Sequence, residues 1–320
     1  MIANKLKAGS HIRVVAPART LKIISEETRQ IAIERFEKLG ITVSYAQNAE
    51  ECDENLSSSV KSRIDDLHEA FLDPTVDAIF TSIGGFTTTE ILDYLDYDII
   101  KNNPKIVCGF SDITALCNAI YAKTGLVTYS GPHFSSFGMK NGFDYTLEYF
   151  QKALISGGEF EVLPCDEFSN DAWFMDQENR NFIKDSGHWV INQGFAQGRL
   201  VGGNTHLLGL LRGTQYFPNI KDCVLFIEHC SEDAFYNFKQ EVQSLILLKD
   251  FATVKALVIG RFELANEVKR EKLEEFIKSK PELKNIPIIA NVSFGHTTPI
   301  ITFPIGGECK IDNGKIFIKE

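Results

Sequence analysis

The residues best suited to chemistry sit at corners of the chain. Gly109-Phe110-Ser111-Asp112 follows the apolar run "KIVCGF" and precedes a segment where Ile113, Leu116, Cys117 and Ile120 recur at offsets 0, 3, 4 and 7. That spacing is one face of a helix, so Ser111 falls where a strand turns into a helix. A sharp turn of this kind pushes a hydroxyl outward, and the free N–H groups of the first helical turn can hold a developing oxyanion. The familiar nucleophile elbow has Gly two residues before and two after the serine; here Gly109 is present and Ile113 takes the second place. Ser and Asp are also the commonest helix caps, so local sequence leaves both a capping and a nucleophilic reading open.

A second corner, "FTSIGG", ends a strand with Gly84 and Gly85. Their backbone can turn tightly and present N–H groups to an anion, although a Gly-Gly pair also serves as a plain turn. A serine nucleophile needs a base, and histidine is the usual one. His296 lies in a Gly- and Pro-marked loop after an apolar strand, His133 follows a Gly-Pro turn, His206 sits in "GGNTHLLGLL", and His229 follows Glu228. Glu228 closes the apolar strand "VLFIE" and is a candidate to orient an imidazole, bind an amine or start a helix.

Strands and helices alternate through the first half. "HIRVVAPA" reads as a strand into a turn, "SEETRQIAIERFEKLG" as a helix capped by Ser25 and stopped by Gly40, and "ITVSYA", "VDAIFTS" and "KIVCGF" as further strands. "SSVKSRIDDLHEAFLDP" and "TTTEILDYLD" fill the gaps as helices. This alternation predicts a largely parallel sheet covered on both faces, with functional groups at the strand ends. The long stretch 166–192 mixes Trp173 and Trp189 with many polar residues, the composition of a lid or binding loop. From Gly194 a second alternating region begins, with strands "CVLFIE", "ALVIG" and "IIANVSF". The expected organisation is an N-terminal α/β domain over 1–160, a loop and linker over 161–193, and a C-terminal domain over 194–320.

The totals exclude several classes. With 320 residues, 44% apolar and 24% charged, the chain can bury a large core and is not a disordered polymer. A net charge of −10 argues against broad binding to nucleic acid or anionic membrane. No run of 18 apolar residues and no signal-peptide h-region is present, which makes the cytoplasm the default expectation. The seven cysteines form no C-x-x-C pair and several lie in apolar runs, the pattern of buried free thiols. Absent H-E-x-x-H, paired-cysteine, G-x-G-x-x-G and Walker A patterns, no metal or cofactor is expected; the cluster His229, Cys230, Glu232 and Asp233 is too close in sequence to converge.

Three separated segments fit one pattern: "TSIGG" (81–85), "GFSDIT" (109–114) and "FGHTTPIITFPIGG" (294–307). With "GRLVGGNTHLLGLLRGT" (198–214) and "LFIEHCSE" (225–232), the chain resembles the LD-carboxypeptidase family of serine peptidases. The resemblance implies an N-terminal flavodoxin-like parallel-sheet domain, a C-terminal α/β domain and an active site between them. It implies Ser111, Glu228 and His296 as catalytic residues and an oxyanion hole from Gly85, Gly84 and Asp112. Trp173 and Asn204 become substrate-binding positions and a homodimer the expected assembly.

Two branches of the family matter. One removes the terminal D-alanine of murein tetrapeptides. The other resembles microcin C self-immunity peptidases, which cut an amide joining aspartate to a modified nucleotide. The segment 166–192 resembles the extended loop of the second branch, with Trp173 at its nucleobase-stacking position. Two departures bear on specificity: His229 and Ser293 stand where many relatives carry acidic residues. The expected partner is a small peptide or peptidyl-nucleotide substrate. The competing readings are a two-lobed non-catalytic binding protein and an amidase using Cys108 or Cys117. The first requires Ser111, Glu228 and His296 to be apart in space.

Overall fold

A computed structural model describes residues 1–230, 233–266 and 268–320. Glu232 of the acidic cluster therefore lies outside the described residues. In the first half the strands are β1 (His11–Val15), β2 (Thr42–Tyr45), β3 (Ala78–Thr81), β4 (Ile106–Cys108) and β5 (Thr128–Ser130). The helices are α1 (Glu26–Lys38), α2 (Val60–Leu72), α3 (Tyr97–Asn102), α4 (Ile113–Thr124) and α5 (Asp144–Gln151). Ser25 caps α1 by accepting from the Thr28 N–H at 3.2 Å. Gly125 ends α4 in the left-handed conformation at φ +73°, which costs glycine nothing. Strands β3 and β4 are buried along their whole length, as expected of parallel strands covered on both faces.

One expected helix differs. "TTTEILDYLD" forms a tighter 3₁₀ turn over Thr88–Tyr94 rather than an α-helix. The buried Asp112 carboxylate accepts from the Thr87 N–H, the Thr88 N–H and the Thr88 hydroxyl, tying the entry of this turn to the Ser111 corner.

The second half contains β6 (Phe160–Val162), β7 (Glu167–Phe168), β8 (Ile183–Lys184), β9 (Trp189–Asn192) and β10 (Phe195–Asn204). They are followed by α6 (Thr205–Leu210), β11 (Cys223–Glu228), α7 (Ala234–Ile246), β12 (Ala256–Gly260), α8 (Arg270–Lys278) and β13 (Ile288–Val292). Strands β14 (Phe303–Ile305), β15 (Glu308–Asp312) and β16 (Lys315–Lys319) complete the chain.

Two large sheets result. The first has the order β14-β5-β4-β3-β1-β2, in which β2-β1-β3-β4-β5 are parallel and β14 is antiparallel. This is the flavodoxin-like arrangement with one added strand. The second runs β6-β16-β15-β10-β11-β12-β13-β9, with a parallel centre of β10 to β13 and antiparallel flanks. The sheets exchange strands: β14 reaches back to pair with β5, and β6 joins the edge beside β16.

The segment 166–192 is more ordered than its composition indicates. β7 and β8 form a hairpin, β9 joins the second sheet, and a backbone bridge links Ser169 to Thr298. The tip is organised around Asp171, whose carboxylate accepts from Arg180 Nε and from the Asn181 N–H.

Candidate active site

Ser111 stands between β4 and α4 with φ +60°, a conformation an L-residue rarely adopts. Such strain persists only where the surroundings enforce it, and it clusters at functional sites. The enforcement is visible next door: a Cβ on Gly109 would lie 2.3 Å from the Thr81 hydroxyl oxygen, so only glycine admits this close approach of β4 to β3. Capping falls to neither candidate of the local sequence, since α4 has no side-chain cap and the Asp112 carboxylate turns away to the Thr87–Thr88 entry.

Glu228 ends β11 and His296 lies in the loop after β13. The structure brings both to Ser111. His296 Nε2 lies 2.9 Å from Ser111 Oγ, and His296 Nδ1 lies 2.9 Å from Glu228 Oε2. The second carboxylate oxygen, Oε1, accepts from Asn204 Nδ2 at 2.9 Å. Asn204 is itself fixed, because its side-chain oxygen accepts from the His206 and Leu207 N–H groups and caps α6. Gly202 and Gly203 have φ +136° and +125° and let β10 close on β11 and α4; added Cβ atoms would meet Phe226 O at 1.9 Å and Thr114 Oγ1 at 2.6 Å.

Burial alone would lower the His296 imidazole, but the Glu228 charge, with Cys230 beside it, outweighs burial and holds it well above the ordinary histidine range. Burial alone would raise the Glu228 carboxyl; the charge and hydrogen bond of His296, helped by Asn204, hold it below its usual value. The carboxylate therefore stays charged and favours the imidazolium form.

Gly84 packs against the serine. A Cβ there would sit 3.1 Å from Ser111 Cβ and 3.2 Å from Ser111 Oγ. Gly85 is pressed against Ala18 and Arg19, with 3.0 and 3.1 Å to the nearest atoms of an added Cβ. The two-glycine turn thus meets the N-terminus of α4 at the hydroxyl.

Two cavities flank the pair. One of about 300 Å³ is lined by Phe110, Trp173, Glu263 and His296. The other, about 390 Å³, is lined by Gly85, Ser111, Asp112, Asn204, His229 and Cys230. Trp173 is half-buried and meets Phe174 edge to face. Asn204 lines its cavity, but its carboxamide is already engaged by Glu228 and α6.

The other candidate histidines make different contacts. His133 is buried, stacks on Phe110 at 4.4 Å and bonds Thr81 through Nδ1; burial, with the His296 charge added, pushes it down to about 3. His229 contacts the Thr205 hydroxyl, and His206 faces Glu241 at 3.7 Å. Cys108 and Cys117 are buried in the core, and burial drives the Cys108 thiol up and the Cys117 thiol up to about 12, the opposite of an activated thiolate. Sequence reasoning missed the orienting role of Asn204, the neutral His133 under Phe110, and the polar network of Arg261 and Asp185 behind the His296 loop. None of these has a spacing signature, because each partner comes from a distant segment.

A hydroxyl, an imidazole and a carboxylate in hydrogen-bonded line across a cleft, with a glycine turn beside the hydroxyl, define the serine hydrolase class of site. Residues 12–131 match the LD-carboxypeptidase N-terminal domain and residues 197–311 match the LD-carboxypeptidase C-terminal domain, so the chain belongs to the LD-carboxypeptidase family of serine peptidases. It is 53% identical to Bacillus subtilis YocD over 312 residues, covering 98% of this chain and 96% of that protein. The crystal structure of an MccF-like protein from Bacillus anthracis matches with TM-score 0.98 and 51% identity, over 100% of this chain and 99% of that one. The microcin C7 self-immunity protein MccF of Escherichia coli is 29% identical over 334 residues, covering 100% of this chain and 96% of that protein. A structure of MccF in complex with aspartyl sulfamoyl adenosine matches with TM-score 0.89, covering 100% of this chain and 98% of that one. Relatives named for microcin self-immunity and for murein peptide cleavage stand at the same 29% identity, so overall identity does not choose between the branches.

Proposed function

We propose that this serine carboxypeptidase hydrolyses the amide of aminoacyl-nucleotide conjugates, with aspartyl conjugates of the microcin type as the lead substrate, through an acyl-enzyme on Ser111. The observation that carries the reading is the Ser111–His296–Glu228 line at 2.9 Å per link, beside a cavity that combines His296 with Trp173.

His296 Nε2 takes the Ser111 proton as Oγ attacks the carbonyl carbon. Glu228 holds the Nδ1–H tautomer and stabilises the imidazolium. The N–H groups of Gly85 and Asp112 receive the oxyanion, with Gly84 leaving room for it. The imidazolium then protonates the leaving nitrogen, and the same imidazole activates water to release the acyl group. Trp173 offers a flat receptor for a nucleobase in the leaving group, a stacking contact of about 1–3 kcal/mol. A cytoplasmic homodimer belongs to the same reading.

The alternative substrate is a murein tetrapeptide losing its terminal D-alanine. A mass-spectrometric cleavage panel with wild type and Ser111→Ala separates the two. Ser111-dependent release of the nucleotide portion from an aspartyl-nucleotide with a non-hydrolysing phosphate link is the expected result. Release of D-alanine alone would assign the enzyme to cell-wall recycling and make Trp173 a loop anchor. Cleavage by Ser111→Ala at the wild-type rate would remove the serine mechanism.

A further inference from the structure

Behind the His296 loop lies a buried polar network that the reaction itself does not use. Arg261 follows β12 and is 3% exposed. Its Nη2 donates to Asp185 Oδ2 at 2.8 Å and to Ser293 Oγ at 3.2 Å, and its Nε donates to Asn291 Oδ1 at 3.2 Å. Its guanidinium covers the Phe168 ring at 4.4 Å. Asp185, whose side chain is 1% exposed, uses Oδ1 to accept from Asn291 Nδ2 at 2.9 Å. The Asn291 amide also donates to Gly187 O at 2.8 Å.

The network is a poor investment if stability alone were its purpose. Burying a guanidinium and a carboxylate removes both from water, and an apolar replacement is often as stable. Here the pair is also incomplete, since Arg261 Nη1 is buried without a partner among the described residues. Asn291 adds strain. It has φ +57°, and it lies where β13 carries one residue more than β12 between the pairs Val258–Ile289 and Gly260–Val292. Such a bulge re-aims the chain that follows, and the chain that follows carries Ser293 and His296.

The same residues anchor the Trp173 loop. Phe168 and Asp185 flank the segment that bears Trp173, and both touch Arg261. A second tie joins Ser169 and Thr298 through two backbone hydrogen bonds of 2.7 Å, two residues beyond His296. The loop is therefore fastened to the His296 segment on both sides of the imidazole.

We propose that Arg261 and Asp185 are positioning residues which, acting through the Asn291 bulge and Ser293, hold His296 against Glu228 and make docking of the Trp173 loop and placement of the general base one mechanical unit. This rests on the reading of His296 as general base. The groups that face His296 are Glu228 at the end of β11, His229 and Cys230 just after it, His133 behind Phe110, and Glu263 after β12. Of these the Glu228 carboxylate is the charge in hydrogen-bond contact with the ring, so loosening the loop weakens that contact first.

The test uses Asn291→Gly, which tolerates the bulge conformation but removes the carboxamide, and Arg261→Lys, which keeps charge but loses the fork. Both are assayed against the aspartyl-nucleotide conjugate across pH, with thermal melting to establish folding, and Trp173→Ala alongside. A displaced imidazole costs about tenfold or more in kcat. The acidic limb of kcat/KM should also move to lower pH, because an imidazole further from Glu228 loses its proton more easily. KM should rise as the loop loosens, whereas Trp173→Ala should raise KM and leave the limb in place. Partial unfolding would reduce amplitude without moving the limb. A folded Asn291→Gly with wild-type kcat and limb overturns the proposal, and it decides alone if Arg261→Lys does not fold. Wild-type turnover by Ser111→Ala would instead overturn the underlying reading, a different result from a different protein.

Discussion

The first sheet presents Ser111 through its backbone, whereas the second presents Glu228 and His296 through side-chain hydrogen bonds. On the first side, φ +60° at Ser111, the glycine at 109 and the Gly84–Gly85 turn fix the hydroxyl by steric exclusion. On the second, Asn204 holds one carboxylate oxygen, His296 the other, and the Arg261 network stands behind the loop. Backbone fixation is stiff and intolerant of added atoms. Side-chain fixation is adjustable and depends on charge. The two halves should therefore fail differently when perturbed.

The charge-dependent half gives the largest expected effect. Glu228→Gln keeps the shape but removes the negative charge and favours the wrong imidazole tautomer, which costs about 10⁴-fold in kcat. The pH profile supplies a second reading. His296 must be neutral to act as base, and Glu228 holds its pKa well above the ordinary value, so wild-type kcat/KM should rise with pH along a limb lying above about pH 6.5. In Glu228→Gln that limb should shift to lower pH. The pair's contribution to stability has two edges. The raised imidazole contributes fully below its unfolded pKa and loses the contribution as pH rises through its folded value. The depressed carboxylate contributes above its unfolded pKa and loses that as pH falls through its folded value. Stopped-flow or steady-state rates across pH check the limb. An unmoved limb in the variant would mean that another group controls ionisation.

The steric half should respond to a single methyl group. Gly84→Ala places a carbon 3.1 Å from Ser111 Cβ and 3.2 Å from Oγ, tighter than ordinary van der Waals contact. Ser111 must yield by a few tenths of an ångström, and since a misplacement of about 1 Å costs about 10²-fold, the expected loss in kcat lies between about tenfold and 10²-fold. The acidic limb should stay where it is in wild type, because Glu228 and His296 are not touched. A normal kcat in a folded Gly84→Ala would show that the hydroxyl has slack and that backbone exclusion is not what aims it.

This difference also explains what could be read in advance. Steric fixation leaves marks in sequence: Gly84-Gly85, Gly109 before Ser111 and Gly202-Gly203 before Asn204 each stand where another residue would collide. The parallel sheet was equally legible, since β3 is apolar up to its closing Thr81, β4 is apolar throughout, and the helical face of α4 recurs at regular offsets. The exchange of β14 into the first sheet was not, because strand pairing across some 175 residues has no local signal. Nor was the order within 166–192, whose hydrogen bonds run to Lys140, Arg261 and Thr298 in other segments. The site's three reactive groups came from motif resemblance, while the side chains that aim two of them came only from the folded geometry.

Asn204 lies on the boundary between these two modes, and it yields the smallest expected effect. Its oxygen caps α6 and its nitrogen holds Glu228, so Asn204→Ala removes a helix cap and a hydrogen bond to a charged group together. The expected loss is about 1–2 kcal/mol of stability and about tenfold in kcat, equivalent to about 1.4 kcal/mol in the barrier. Asn204→Ser separates the two. A serine is as good a cap as asparagine, but its hydroxyl is too short to occupy the cap and reach Glu228 as well. The melting temperature should recover in the serine variant while kcat stays low, because the Glu228 carboxylate is still missing a donor. Recovery of both would mean that Asn204 acts through α6 alone and that the Glu228–His296 contact suffices to aim the carboxylate.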